Sequence, residues 1–193
     1  MLMNSAATTD TREKLLDAAD EFLRARSFAG FSFQDLARTV GIKKGSVYHH
    51  FETKEALVVA VLERARQRLE GFLAGLGGQP PELVADACLA LFRDRMGAGR
   101  FVCPGGSLSC QWDYLPEPVR AAGQRLMAVH LRLLEVLAQA MAWDDPPQKA
   151  RWLLSMFQGA LLVDRSNGND LAMQSTVAEV RRLMALPTPP AAA

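Results

Sequence analysis

The stretch that decides the fold reads Ser32-Phe33-Gln34-Asp35-Leu36-Ala37-Arg38-Thr39-Val40-Gly41-Ile42-Lys43-Lys44-Gly45-Ser46-Val47-Tyr48-His49-His50-Phe51-Glu52-Thr53-Lys54-Glu55-Ala56-Leu57. Ser32 with Asp35 three residues on has the form of a capping box, which predicts a short helix ending near Thr39. Gly41 permits a tight turn, and Lys43 to about Phe51 reads as a second short helix. Thr53 suits the cap of a longer helix to about Leu76, with Glu55 in its first turn. In front, Thr9 or Thr11 can cap a helix to about Ser27, and Asp10 and Glu13 suit its positive end. Two short helices around a glycine turn, braced by a longer helix before them, describe a helix-turn-helix unit.

The residues of that unit suit nucleic acid. The chain as a whole is neutral, with 22 basic and 21 acidic side chains. From residue 38 to residue 50, however, it carries Arg38, Lys43, Lys44 and two histidines and no acid, a local patch fit to meet phosphate. A recognition helix offers its first residues to base edges while flanking groups hold the backbone. Lys44 can donate to guanine, Ser46 can bond several bases, and Gly45 lets the backbone approach closely. Tyr48, His50 and Lys54 suit phosphates, and Ser32 and Gln34 sit where the preceding helix meets the DNA backbone; Lys43 and His49 complete the candidate set. Leu36, Val47 and Phe51 read as the residues that hold the helices together, with Ala37 at their crossing. A lone Lys-Lys pair would be a solvated face and Tyr48 a packing residue; the shared register of Gly45, Ser46, Tyr48 and Lys54 favours DNA. His49 and His50 are adjacent on a helix and diverge, so no metal site is expected.

Outward from this unit the chain reads as helical throughout. Of 193 residues, 49% are apolar and 22% charged, the balance of a globular protein with a substantial core. The longest unbroken apolar run, Ala56 to Leu62, is seven residues, against about twenty for a membrane span. The first residues have no basic stretch followed by an apolar one, so no secretory signal is expected, and three cysteines are too few for a disulfide scaffold. A cytoplasmic location is the expectation. No proline precedes Pro80, and later breaks fall at Pro104, Pro116, Pro118, Pro146-Pro147 and beyond Leu186. Between them apolar residues recur at helical spacing, as in Val119, Ala122, Leu126, Val129, Leu133 and Leu137, and no window alternates like a strand. The expected division is a DNA-binding domain over 1–52, a second helical domain over 53–186, and a disordered tail over 187–193.

One helix-turn-helix reads only a few base pairs, so a twofold dimer on a palindrome is the usual solution. The last two helices offer a surface for it: Trp152, Met156, Phe157 and Leu161, with Met173, Val177, Val180 and Met184. The same residues could equally face the subunit's own core, and composition does not separate the two. A ligand pocket is expected between helices starting near Glu82, Val119 and Gln148, closed by an irregular stretch from Arg100 to Leu115. Its candidate lining is Phe101, Cys103, Cys110, Trp112, Tyr114, Met127 and His130, which suits a hydrophobic or aromatic small molecule, although each alone could be core filler. Cys103 precedes Pro-Gly-Gly; at a helix N-terminus its thiolate would be favoured, and with Cys110 it could sense an electrophile or oxidant. A cysteine enzyme using Cys103 or Cys110 with His130 is the weaker alternative, because no aligned base and orienting group can be read.

The stretch from Phe33 to Leu57 resembles the DNA-binding signature of the TetR family of bacterial repressors, and the likeness extends over about a quarter of the chain, Thr9 to Leu62. The resemblance implies an all-α protein with an N-terminal three-helix helix-turn-helix domain and a C-terminal helical ligand-binding and dimerisation domain. It implies the DNA roles given above for the matching positions and a homodimer paired through its last two helices as a four-helix bundle. It further implies a non-enzymatic regulator of operator DNA, released by a small-molecule inducer and needing no cofactor.

Overall fold

A computed structural model describes residues 3–94 and 101–185. Among the described residues there are nine α-helices and no strand: α1 (Met3–Arg26), α2 (Phe33–Val40), α3 (Lys44–His50), α4 (Lys54–Gly75), α5 (Pro81–Asp94), α6 (Pro104–Ser109), α7 (Glu117–Ala140), α8 (Pro146–Asn167) and α9 (Leu171–Leu183), with a 3₁₀ turn at Trp112–Tyr114. The all-helical reading holds. No helix among the described residues is long and apolar enough to cross a membrane. The expected tail over 187–193 lies outside the described residues.

The chain forms two compact units. The first comprises Met1–Arg68 and Pro104–Met127, the second Leu69–Cys103 and Ala128–Ala193. The opening turns of α4 bury Leu57, Val58, Val61 and Leu62 within the first unit.

In the first unit, α1 contributes Leu15, Leu16, Ala19 and Leu23 to the core, α2 contributes Leu36 and Ala37, and α3 contributes Val47. Arg64 of α4 fastens to α1 through Asp17 at 2.8 Å and Glu13 at 3.1 Å. Helix α1 starts at Met3, ahead of the cap expected at Thr9 or Thr11; Ala6 and Ala7 extend it at little cost in propensity. At its other end Ser27 adopts φ 60°, and its hydroxyl donates to the Ser107 carbonyl at 2.6 Å. The Ala29 amide donates to Gln111 Oε1 at 3.1 Å, so the loop after α1 is tied to α6 and the turn that follows it. Gly30 is required within that loop: a Cβ there would lie 2.2 Å from the Arg26 carbonyl oxygen. The stretch expected to be irregular up to Leu115 is thus partly helical. Pro104 suits the first position of α6, Ser107 Oγ bonds back to the Pro104 carbonyl at 2.8 Å, and Leu108 is fully buried.

The second unit has its own core. Val84, Ala85, Cys88, Leu89 and Phe92 of α5 are buried, as are Leu133, Leu134 and Leu137 of α7, and α9 packs against both α5 and α8. Phe92 and Phe157 stack with ring centroids 4.1 Å apart and planes 7° from parallel. Helix α8 is capped by Asp145, whose side chain accepts from the Gln148 amide, and ends at Gly168 with φ 67°. The buried carboxylate of Asp164 then accepts from the amides of Ala172 at 2.8 Å and Met173 at 2.9 Å, supplying the open end of α9 with acceptors from the preceding helix.

Candidate nucleic-acid interface

The helix-turn-helix is built by two local devices. Ser32 caps α2 and forms the expected capping box: its hydroxyl accepts from the Asp35 amide at 3.3 Å, while its own amide donates to Asp35 Oδ2 at 2.9 Å. The Ser32 hydroxyl also donates to that carboxylate at 2.6 Å, and these bonds hold the Asp35 carboxyl below its ordinary pKa. Gly41 closes α2 in the left-handed region at φ 77°, and the amides of Gly41 and Ile42 both donate to the Ala37 carbonyl. The chain then enters α3 at once.

Helix α3 has a sharp division of faces. Val47 is fully buried, with Phe51 beneath the helix end, whereas Lys43, Lys44, Gly45, Tyr48 and His49 are exposed. No side chain caps its N-terminus, and nothing lies within 4 Å of where a Cβ on Gly45 would be. Tyr48 is 53% exposed, and its ring meets Phe33 edge-on at 5.0 Å, so the phenol has a fixed base and a free tip. Ser46 and His50 are half-buried, and Gln34 and Ser32 are exposed along the start of α2. The candidate residues on α2 and α3 therefore lie at one solvent-facing edge of the first unit.

Lys54 is placed differently from the rest. Its ammonium donates to the Phe31 carbonyl and lies over the rings of Phe28 and Phe31 at 4.8 and 4.4 Å. Burial lowers its pKa. It fastens α4 to the loop before α2, a role invisible in sequence because both aromatics lie more than twenty residues away. Thr53 caps α4 as expected, its Oγ1 accepting from the Ala56 amide at 3.1 Å.

The other candidate sets fare less evenly. Of the nominated ligand residues, Cys110, Trp112, Tyr114 and Met127 belong to the first unit, while Phe101, Cys103 and His130 belong to the second. Tyr114 is 89% exposed and so walls no enclosed pocket. The Trp112 ring and Leu108 both lie close to Gly123 inside their own unit. Cys103 and His130 are buried, Phe101 is half-buried, and Cys110 is exposed just beyond α6. Burial pushes the Cys88 thiol up to about 12, which leaves it unreactive at neutral pH.

The residues nominated for dimerisation divide by burial. Phe157, Leu161, Val177, Val180 and Met184 are buried within their own unit. Trp152 is exposed and Met156 half-exposed. The outward apolar residues on these helices include Leu162, Val163 and Leu171, which the periodicity of the buried stripe conceals.

Comparison with known proteins agrees with this architecture. The sequence profile of bacterial regulatory proteins of the tetR family matches residues 15–61, the segment that spans the helix-turn-helix. The transcriptional repressor NemR of Escherichia coli K12 is 28% identical, with 96% of this chain and 99% of NemR covered. The transcriptional regulator UidR of the same organism is 26% identical over 90% of each chain. Among solved structures, a TetR-family regulator from Agrobacterium tumefaciens superimposes with a TM-score of 0.82 at 20% identity, covering 91% of this chain and 98% of its own. The reduced form of E. coli NemR gives 0.70 at 27% identity, covering 92% and 100%. Residues 15–61 thus match the tetR family's DNA-binding segment, and the chain is similar nearly end to end to transcriptional regulators that carry it.

Proposed function

We propose that this regulator is a cytoplasmic repressor that binds palindromic operator DNA as a homodimer and releases it when a small molecule occupies the C-terminal domain. One observation carries the reading: the face of α3 bearing Lys44, Gly45 and Tyr48 is open to solvent while Val47 anchors the helix from behind. In the major groove Lys44 donates to guanine O6 and N7, Ser46 reads a neighbouring base, and bare Gly45 lets the backbone come close. Tyr48, His50 and Lys43 hold phosphates, and the start of α2 brings Gln34 and Ser32 against the adjacent strand. We read Lys54 as a structural fastener of this head rather than as a primary phosphate contact. The reading head is residues 1–52, and pairing uses the outward residues Leu162, Val163 and Leu171 of α8 and α9. We assign the chain no reaction of its own.

The ligand is hydrophobic or aromatic and enters the second unit. A groove there, between the last turns of α4, α5 and the end of α7, is lined by Leu73, Val84 and Val136 with Glu70, Arg132 and Glu135 at its polar positions. Release requires that the ligand favour one state of the dimer over the other, since equal affinity for both shifts nothing. The ties from Ser27 to Ser107 and from Ala29 to Gln111 join α6 to the loop behind α2, a route by which movement of α6 reaches the reading head.

Selection of duplex DNA from a random pool by the purified protein tests the reading. An enriched palindrome, lost on Tyr48→Ala or Lys44→Ala, supports it. No enrichment above a variant with a scrambled α3 overturns it.

A thiol-sensing variant of this mechanism is favoured by the exposure of Cys110 on the segment tied to the reading head. Cys103, the first choice from sequence, is 1% exposed, so it requires an opening motion before it can react. Retention of full DNA release by oxidants or electrophiles in both Cys110→Ser and Cys103→Ser removes the variant.

A further inference from the structure

The second unit carries an aromatic groove that none of the roles above uses. Trp143, Asp144, Gln148, Lys149, Trp152 and Leu183 line a cavity of about 560 Å³ where the α7–α8 connection meets the start of α8 and the end of α9. That connection is fixed in shape. The Trp143 amide donates to the Ala138 carbonyl and the Ala142 amide to that of Gln139, each at 3.0 Å, with Ala142 left-handed at φ 52°, so α7 closes in a Schellman turn. Asp145 is left-handed as well, at φ 45°, and Pro146 and Pro147 stiffen the start of α8. Two strained residues thus bracket Trp143 and Asp144 and hold them in place before any ligand arrives.

We propose that this groove binds a quaternary ammonium group, a trimethylammonium head carried on a small molecule. The rings set the shape. The two indoles stand 6.4 Å apart with planes 57° from parallel, so a flat aromatic ligand cannot stack on both at once, whereas a round methylated head can touch both. Indole is also the strongest aromatic partner for a cation, through the negative face of its ring. Trp152 is 40% exposed and Leu183 43%, so the site is open to a solute and leaves an apolar wall for the rest of the molecule. Charge points the same way. The Asp144 side chain is 92% exposed in the wall, and Asp145 follows it in the chain. The ammonium in the wall, Lys149, lies 3.4 Å from Asp144. An ion pair in water costs little to give up, so an arriving cation can take its place beside the carboxylate. A methylated head also carries no N–H donors, and the indole faces offer no lone pairs to receive them.

Choline and its neutral carbon isostere dimethylbutanol test this on the full chain, with the methyl proton resonance of each as the readout. The choline signal should move upfield and saturate on titration, because methyl groups over an indole face are shielded. Dimethylbutanol has the same shape without the charge and should bind more weakly. Trp152→Ala should weaken choline binding roughly 2- to 5-fold, the share of one exposed ring. Asp144→Asn should weaken it and flatten its dependence on salt. Lys149→Gln should tighten it by removing the competing ammonium. No saturable choline shift with the wild-type chain overturns the proposal, whatever the variants do. So does equal binding of dimethylbutanol, which makes the groove a plain apolar site. A choline shift untouched by Trp152→Ala overturns it too, by placing the binding elsewhere.

Discussion

Two helix pairs in this protein turn on the same device and serve opposite ends. Both α2–α3 and α8–α9 follow a glycine in the left-handed region, Gly41 at φ 77° and Gly168 at φ 67°. Helix α3 has seven residues, too short to be stable alone, and it is held through Val47 while Lys44 and Tyr48 stay in water. Helices α8 and α9 have 22 and 13 residues and bury long apolar stripes within their own unit. Their caps differ in the same sense. Ser32 and Asp35 close α2 from within three residues, whereas α9 takes its acceptors from Asp164, carried by the preceding helix. A short helix held from one side keeps a free face for a partner, while a long amphipathic helix first uses its apolar face to build its own core.

Four substitutions break or sharpen this contrast. Phe157→Ala removes a fully buried ring stacked on Phe92 and should lower stability by about 3–5 kcal/mol, read from the denaturant midpoint. A loss below ~1 kcal/mol would mean that the face of α8 bearing Phe157 is not core. Lys44→Ala should do the reverse, weakening operator binding by about 1–3 kcal/mol, roughly 5- to 150-fold, with the denaturant midpoint unmoved. Gly41→Ala and Gly168→Ala each place a Cβ at positive φ in open space, so each should cost about 1 kcal/mol of stability. Only Gly41→Ala should also reduce DNA affinity, because only that turn aims α3; equal effects on DNA would erase the distinction between the pairs.

The smallest effect is one of pH. The Asp35 carboxyl has a folded pKa below its ordinary 3.8, so its capping contribution is full above that value and is lost as pH falls through the lower, folded one. The stability gap between the wild type and Asp35→Asn should therefore be constant near neutrality and narrow below pH 3.8. A gap that persists undiminished in strong acid would show that the charge of Asp35 plays no part in the cap.

The reading head was legible because its determinants are local. A capping box spans four residues and a glycine turn one, and the exposed positions of a seven-residue helix follow from where Val47 must point. The remainder was less legible for physical reasons. Periodicity found the stripes containing Phe157, Leu161, Val177 and Val180, yet a stripe records burial without naming what it is buried against. The partnership of Lys54 with Phe28 and Phe31 and the capping of α9 by Asp164 are tertiary events that leave no spacing signature. The same holds for α6. Its Pro-Gly-Gly opening argues for a loop, and only bonds to residues about eighty positions earlier hold it in place.

Those bonds set a timetable for biosynthesis. The first unit is completed by Pro104–Met127, so the DNA-reading surface leaves the ribosome well before its own mount has been made. At about 5–20 residues per second, the roughly 60 residues between Arg68 and Met127 take on the order of 3–12 s to synthesise. During that interval α1 to α4 stand without the partners of Ser27 and Ala29, and the nascent chain carries a basic helix on an unfinished support. A message cut short before codon 104 would yield a reading head permanently in that condition.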